Sequence, residues 1–107
     1  MTYKLYIDDE RTPKRAGWTI VRSFDQAVST IKENGVPDEI SFDHDLGWDM
    51  VTNKEAKSGY DLAKWLVENN IVLKKFNVHS ANPVGKENIE RLLTNYQHFV
   101  SKNNVTL

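Results

Sequence analysis

No cysteine occurs anywhere in the 107-residue chain. That excludes a disulfide scaffold, a zinc ribbon and a cysteine nucleophile, and it suits a reducing compartment. Long apolar runs are also missing: none approaches the roughly 20 residues needed to cross a bilayer. The opening stretch MTYKLYIDDE lacks the charged-then-apolar profile of a signal peptide. Nor is there an excess of charge of one sign, since 14 basic and 15 acidic side chains leave a formal net charge of −1. A broad nucleic-acid-binding surface and a membrane-surface patch are therefore not expected, and a nucleic-acid substrate would have to be held locally in a pocket. What is present is ordinary for a soluble globular chain, with 39% hydrophobic and 27% charged residues. The length fits one domain, residues 1–107, around a single core. The expectation is a soluble cytoplasmic protein of undetermined oligomeric state.

Strand-like and helix-like patterns alternate along the chain, with no internal repeat or linker. Residues 3–8, 18–22, 39–43 and 76–79 read as strands. Ser23 with Gln26 reads as a capping box, followed by Phe24, Ala27, Val28 and Ile31 at helical spacing and a stop at Gly35. Ser58 opens a second helix with Leu62, Trp65 and Leu66 on one face, and Asp61 is a favourable charge in its first turn. Asn82 and Pro83 start a third, whose stripe is Ile89, Leu92, Leu93, Tyr96, Phe99 and Val100. Between them, residues 47–57 form an unusually long polar loop. The ten residues DERTPKRAGW, between the first two strands, show no apolar stripe. The pattern predicts an α/β domain: a doubly wound, mostly parallel sheet of four (possibly five) strands with helices on both faces. Its first helix is degraded and its last unit missing, and the tail 103–107 is either a frayed end or a fifth edge strand.

In an open parallel sheet the functional crevice lies beyond the carboxyl ends of the strands. Three strand ends here carry reactive groups: Asp8-Asp9-Glu10-Arg11, Asp43-His44-Asp45 and His79-Ser80-Ala81-Asn82. Adjacent ionised carboxylates repel, and a divalent cation removes the conflict. Asp8, Asp9 and Asp43 form an all-oxygen set suited to Mg²⁺ or Mn²⁺. Imidazole titrates near neutrality, so His44 and His79, expected close together, can divide general-base and general-acid duties. Asp45 would orient a histidine or reach a second metal. Ser80 can bond a phosphoryl oxygen, and Asn82 either does the same or caps the helix. Arg11 offers a planar fork for phosphate, or pairs with Glu10 or Asp9. Trp48 either stacks on a nucleobase or closes the crevice as an apolar lid.

The motifs YIDDER, FDHDLG, SGYDLAKWL and VHSANPVG, in that order, resemble the cyclic-phosphate-processing receiver-like domains, a divergent branch of the response-regulator receiver superfamily. The resemblance implies a truncated receiver (flavodoxin-like) fold, with Asp8 and Asp9 as the acidic pair, Asp43 in the place of the phosphoacceptor aspartate, and Ser80 as the phosphoryl-contacting residue. It also marks His44 and His79 as distinctive of the branch. The lysine that receivers carry after a fifth strand has no counterpart here. Residues and resemblance together lead to an expected metal-dependent hydrolase (phosphodiesterase) acting on a 2′,3′-cyclic RNA end or a cyclic nucleotide, with His44, His79 and Ser80 catalytic. Asp8, Asp9, Asp43 and Asp45 would hold metal, and Arg11, Asn82 and Trp48 would hold substrate. The alternatives are a signalling module phosphorylated on Asp43 and a protein that binds a cyclic nucleotide without turnover.

Overall fold

The computed structural model describes residues 2–103, apart from the side chains of Trp48, Asp49 and Asn103. The tail at 104–107, where a fifth strand was one expectation, lies outside the described residues. In chain order the elements are β1 (Lys4–Ile7), β2 (Trp18–Val21), α1 (Phe24–Asn34), β3 (Glu39–Phe42), β4 (Trp48–Asp49), β5 (Lys54–Glu55), α2 (Gly59–Glu68), β6 (Lys75–Val78) and α3 (Pro83–Asn103). The main sheet runs β2-β1-β3-β6, and all three pairings are parallel. This is the α/β architecture expected, compatible with a truncated receiver fold.

Register decides which side chains share a face. Leu5 pairs with Ile40 and Ile40 with Phe76; Ile7 pairs with Val21 and Phe42, and Phe42 with Val78. This face is sealed by Ala27 and Ile31 of α1, Leu62, Ala63 and Leu66 of α2, and Ile89 and Leu93 of α3, in one continuous core. The three helices thus form a single layer. Helices on both faces were expected; the opposite face, which carries Lys4, Tyr6, Trp18, Ser41 and Asn77, has none among the described residues. The reason lies in residues 9–17, which have too few apolar side chains to bury a helix against the sheet.

Local signals set the helix ends. The Ser23 hydroxyl accepts from the Gln26 N–H at 3.1 Å, but the Gln26 side chain bonds the Arg22 N–H rather than that of Ser23, so the expected box is displaced by one residue. α2 has the complete reciprocal box: Ser58 accepts from the Asp61 N–H, and Asp61 Oδ2 accepts from the Ser58 N–H at 2.7 Å. Burial pushes the Asp61 carboxyl up, but the Ser58 backbone bond and Lys64 outweigh it and hold it below its usual value. A depressed carboxylate stabilises the fold above its unfolded pKa, near 4, and loses that contribution as pH falls through the folded value. Asp61→Asn is therefore expected to cost about 1 kcal/mol at pH 7. The gap from wild type should close as urea melts are repeated toward pH 3.

Two segments differ from their sequence reading. The polar loop contains a short antiparallel ribbon, β4 against β5, with Asn53 at φ 55° in the turn. Two-residue strands carry no readable alternation, so the ribbon is invisible to periodicity. In α3 the apolar stripe outlasts the core: Ile89 and Leu93 are buried, but Phe99 is 62% exposed. A helix of 21 residues runs far beyond four-residue strands. No helix among the described residues is long and apolar enough to cross a membrane.

Candidate functional site

The site begins one residue past the strands. The parallel ladder continues for a rung beyond each strand: Asp8 N–H donates to Val21 O, Asp43 N–H to Ile7 O, and His79 N–H to Phe42 O. Those three bonds set Asp8, Asp43 and His79 side by side at the carboxyl rim, although 71 positions separate the first from the last. By strand alternation they continue the row of Tyr6, Ser41 and Asn77, on the face without helices.

Asp8 is fully buried, and its carboxylate is saturated. Oδ1 accepts from the backbone N–H groups of Glu10 and Arg11, at 2.9 and 2.8 Å. Oδ2 accepts from Arg11 Nε at 2.9 Å and from His79 Nε2 at 3.0 Å. Burial pushes this carboxyl up; the two backbone donors, His79 and Arg11 together hold it below its usual value. Asp43 shifts the other way, raised by burial and by Asp8, with Arg11, His79 and a hydrogen bond from Ser80 pulling it back. One oxygen from each of Asp8, Asp9 and Asp43 lies within 4.8 Å of the others. Two unit charges at that separation repel by about 3.5 kcal/mol at an effective dielectric of 20. The cation placed between them is Arg11, whose Nη2 lies 3.4 Å from Asp43 Oδ1 while Nε bonds Asp8. The sequence reading gave Arg11 either phosphate or an ion pair with Glu10 or Asp9; the pair it makes is with Asp8 and Asp43.

His79 uses both ring nitrogens. Nδ1 is 2.7 Å from the Ser41 hydroxyl, and Nε2 faces Asp8. Burial lowers its pKa and so favours the neutral ring, against the opposing pull of Asp8 and Asp43. An ionised Asp8 can only accept, so the ring proton sits on Nε2 and the Ser41 hydroxyl donates to Nδ1. Asn77 in turn donates to Ser41 at 3.3 Å, completing a directed chain that ends on Asp8. Tyr6 stacks flat on the imidazole, with centroids 4.3 Å apart and planes within 6°. His79 is thereby fixed as a donor that orients Asp8.

His44 occupies a different place. Its Nδ1 bonds Asp45 Oδ1 at 2.9 Å, the ring lies against Gly85 of α3, and it lines a cleft of about 590 Å³ with Asp45, Gly47, Lys57 and Ser58. The acidic groups line an adjoining cleft of about 340 Å³, with Asp8, Asp9, Arg11 and Asp43. Asp45 and Gly47 belong to both walls, so the two clefts share that wall. The two histidines, expected as close neighbours, stand on either side of the acidic rim: His79 beneath it and His44 across Asp45.

The remaining predicted residues sort by contact. Ser80 bonds Asp43 and accepts from the Asn82 N–H at 3.0 Å. Asn82 caps α3, accepting from the Gly85 N–H at 3.0 Å, while its Nδ2 reaches Asp45 Oδ2 at 3.4 Å. Capping was one of its two expected roles. Trp48 stands in β4, directly after Gly47; its side chain lies outside the described part of the structure.

Three residues that sequence reasoning passed over also shape the rim. Arg22 donates to the carbonyls of Asp8, at 3.2 Å, and Arg11, at 2.5 Å, and so clamps the loop that presents both. In sequence it looks like any surface arginine after a strand. Gly59 opens α2 so close to β3 that an added Cβ would lie 2.0 Å from the Asp43 carbonyl oxygen; at Gly85 it would lie 2.3 Å from His44 Cγ. A glycine at the start of each of two helices is the signal that could have found them. Gly85→Ala is expected to expel the His44 ring and cost about 1–3 kcal/mol, read as a loss of thermal stability and a changed His44 C–H NMR signal. Gly59→Ala, which meets rigid backbone, should cost more.

No curated protein and no solved structure matches the chain. A family model does, over residues 3–95, which takes in every element of the rim described above. The chain therefore belongs to the cyclic-phosphate processing receiver domain family.

Proposed function

We propose that this domain hydrolyses a cyclic phosphodiester, with the ring of a 2′,3′-cyclic RNA end or of a cyclic nucleotide opening at the acidic rim. The observation that carries this reading is the juxtaposition of the Asp8–Asp9–Asp43 oxygens with a histidine–aspartate pair across one shared wall. The family's description as a cyclic-phosphate processing receiver domain supports it.

The donor set fits a divalent ion, Mg²⁺ or Mn²⁺: three carboxylate oxygens converge, and hard cations take oxygen ligands completed by water. Asp8, Asp9 and Asp43 would hold it, and when bound it supplies Lewis-acid polarisation of a phosphoryl oxygen. Arg11 lines the acidic cleft, and Ser80 is bonded to Asp43; both would receive phosphoryl oxygens as hydrogen-bond donors. His44, its Nδ1 tied to Asp45, moves the proton at Nε2. Water oxygen bonds to phosphorus, one ester P–O bond breaks, and the departing oxygen takes a proton, leaving a phosphomonoester and a hydroxyl. The motifs alone would divide acid and base between two histidines; the bonding of His79 favours His44 for proton transfer and His79 for orientation. Trp48, the residue after cleft-lining Gly47, is the candidate to stack on the base.

The test is ³¹P NMR of the purified folded protein with 2′,3′-cyclic and 3′,5′-cyclic nucleotides and a short RNA ending in a 2′,3′-cyclic phosphate, each with Mg²⁺ or Mn²⁺. Conversion to a monoester is expected. Binding without product would favour a sequestering protein. No turnover, with stable labelling of Asp43 by a small phosphodonor, would favour the signalling module. Among the described residues the cation beside Asp43 is Arg11, and the lysine that receivers carry after a fifth strand has no counterpart, which weighs against that outcome.

A further inference from the structure

We propose that Arg11 is a tethered counter-ion of the acidic rim, which a divalent cation must displace, and that the displaced guanidinium is then free to take the phosphate. The inference rests on the metal reading above and assigns this arginine a role on the ion's path. A carboxylate oxygen has two in-plane lone pairs, and both on Asp8 Oδ2 are in use, one by His79 and one by Arg11 Nε. Oδ1 is equally committed, to two backbone donors. A cation can therefore reach Asp8 only if one of these donors leaves.

The four donors differ in how easily they leave. The two N–H groups belong to backbone held by Arg22. His79 is stacked on Tyr6 and anchored at its other nitrogen by Ser41. Arg11 is the one with freedom: its side chain is 49% exposed, against 16% for His79. Its terminal group also makes the looser contact to Asp43, at 3.4 Å.

Electrostatics gives the same result. With Arg11 in place the buried carboxylates have a positive partner that offsets their mutual repulsion. Entry of a divalent ion puts a second cation beside the guanidinium, and the arginine is driven outward. It does not go far, because its backbone is clamped. Its side chain already lines both the acidic cleft and a groove of about 440 Å³ on the helix-free face, with Lys14, Arg15 and Trp18. The order of events follows: ion first, then arginine release, then capture of phosphate.

The experiment is calorimetric titration of Mn²⁺ into the wild-type protein, Arg11→Gln and Arg11→Lys, with Asp43→Asn as the site control. Arg11→Gln is expected to bind Mn²⁺ about tenfold more tightly than wild type, as expected when a charge-assisted bond is no longer competing. Arg11→Lys should fall between, and Asp43→Asn should bind weakly. In the wild type alone, the ¹⁵N–¹H signal of Arg11 Nε should shift and gain solvent exchange when Mg²⁺ is added, so the result does not depend on a variant folding. Equal or weaker binding by folded Arg11→Gln, with an unmoved Nε signal, would overturn the displacement while leaving the metal reading intact. No binding by any form would overturn both.

Discussion

Asp8→Ala is expected to lower the unfolding free energy by about 3–5 kcal/mol, the range for removing one partner of a buried, hydrogen-bonded charge network. Four donors converge on this carboxylate, and its removal strands all of them: two backbone N–H groups, the Nε2–H of His79 and the guanidinium of Arg11. Asp8→Asn should lose less, about 2 kcal/mol, since its carbonyl oxygen can still serve the backbone pair while its amide meets two other donors head-on. Urea denaturation of the two variants would check the ranking. The sign with pH follows from the depressed Asp8 carboxyl, whose contribution is present above the unfolded pKa and disappears as pH falls through the lower folded one. The raised Asp43 carboxyl acts in reverse, favouring the fold at low pH and opposing it once ionised. Asp43→Asn is accordingly expected to be neutral or stabilising at pH 7 without divalent ions. A site residue whose loss stabilises the fold fits a group kept for chemistry and not for packing.

The second large effect separates the two histidines. His44→Gln is expected to reduce kcat for cyclic-phosphate hydrolysis by about 10²–10⁴-fold, the usual range for a positioned acid–base group, with a melting temperature near that of the wild type. The ring is partly exposed and, among the described residues, its hydrogen bond is to surface Asp45, so little stability is at stake. His79→Gln should behave differently. It breaks the chain from Asn77 through Ser41 to Asp8 and the stack with Tyr6, so stability falls together with activity. The discriminating readout is the pH profile. If His44 carries the proton, the pH-dependent limb of kcat/KM that it produces vanishes in His44→Gln and persists in folded His79→Gln. Equal loss of that limb in both would return the second histidine to proton transfer.

The strands and the rim were legible in the sequence because burial leaves a plain trace there. Leu5 and Ile7, then Ile40 and Phe42, end at acidic residues, and a parallel sheet must gather those ends on one edge. What each end group bonds was not legible. His44 and His79 look alike in sequence, yet strand alternation sends His79 to the helix-free face beside Ser41, while His44 turns under α3 against Gly85. Arg11 gave no hint that it would span two aspartates, because its partners come from different strands. The single helix layer was half-visible: the ten residues after Asp8 show no apolar stripe, and a segment that cannot bury a face does not make a covering helix.

The central claim is that one carboxyl rim, assembled from three strand ends, is where a cyclic phosphate binds. Its most direct measurement is the ¹⁵N–¹H spectrum of the protein titrated with a cyclic-phosphate nucleotide in the presence of Mg²⁺. Shifts concentrated at residues 8–11, 43–47 and 80–82 are the predicted result. Shifts confined to the far ends of the strands or to α3 beyond Leu93, with those three segments unmoved, would contradict it.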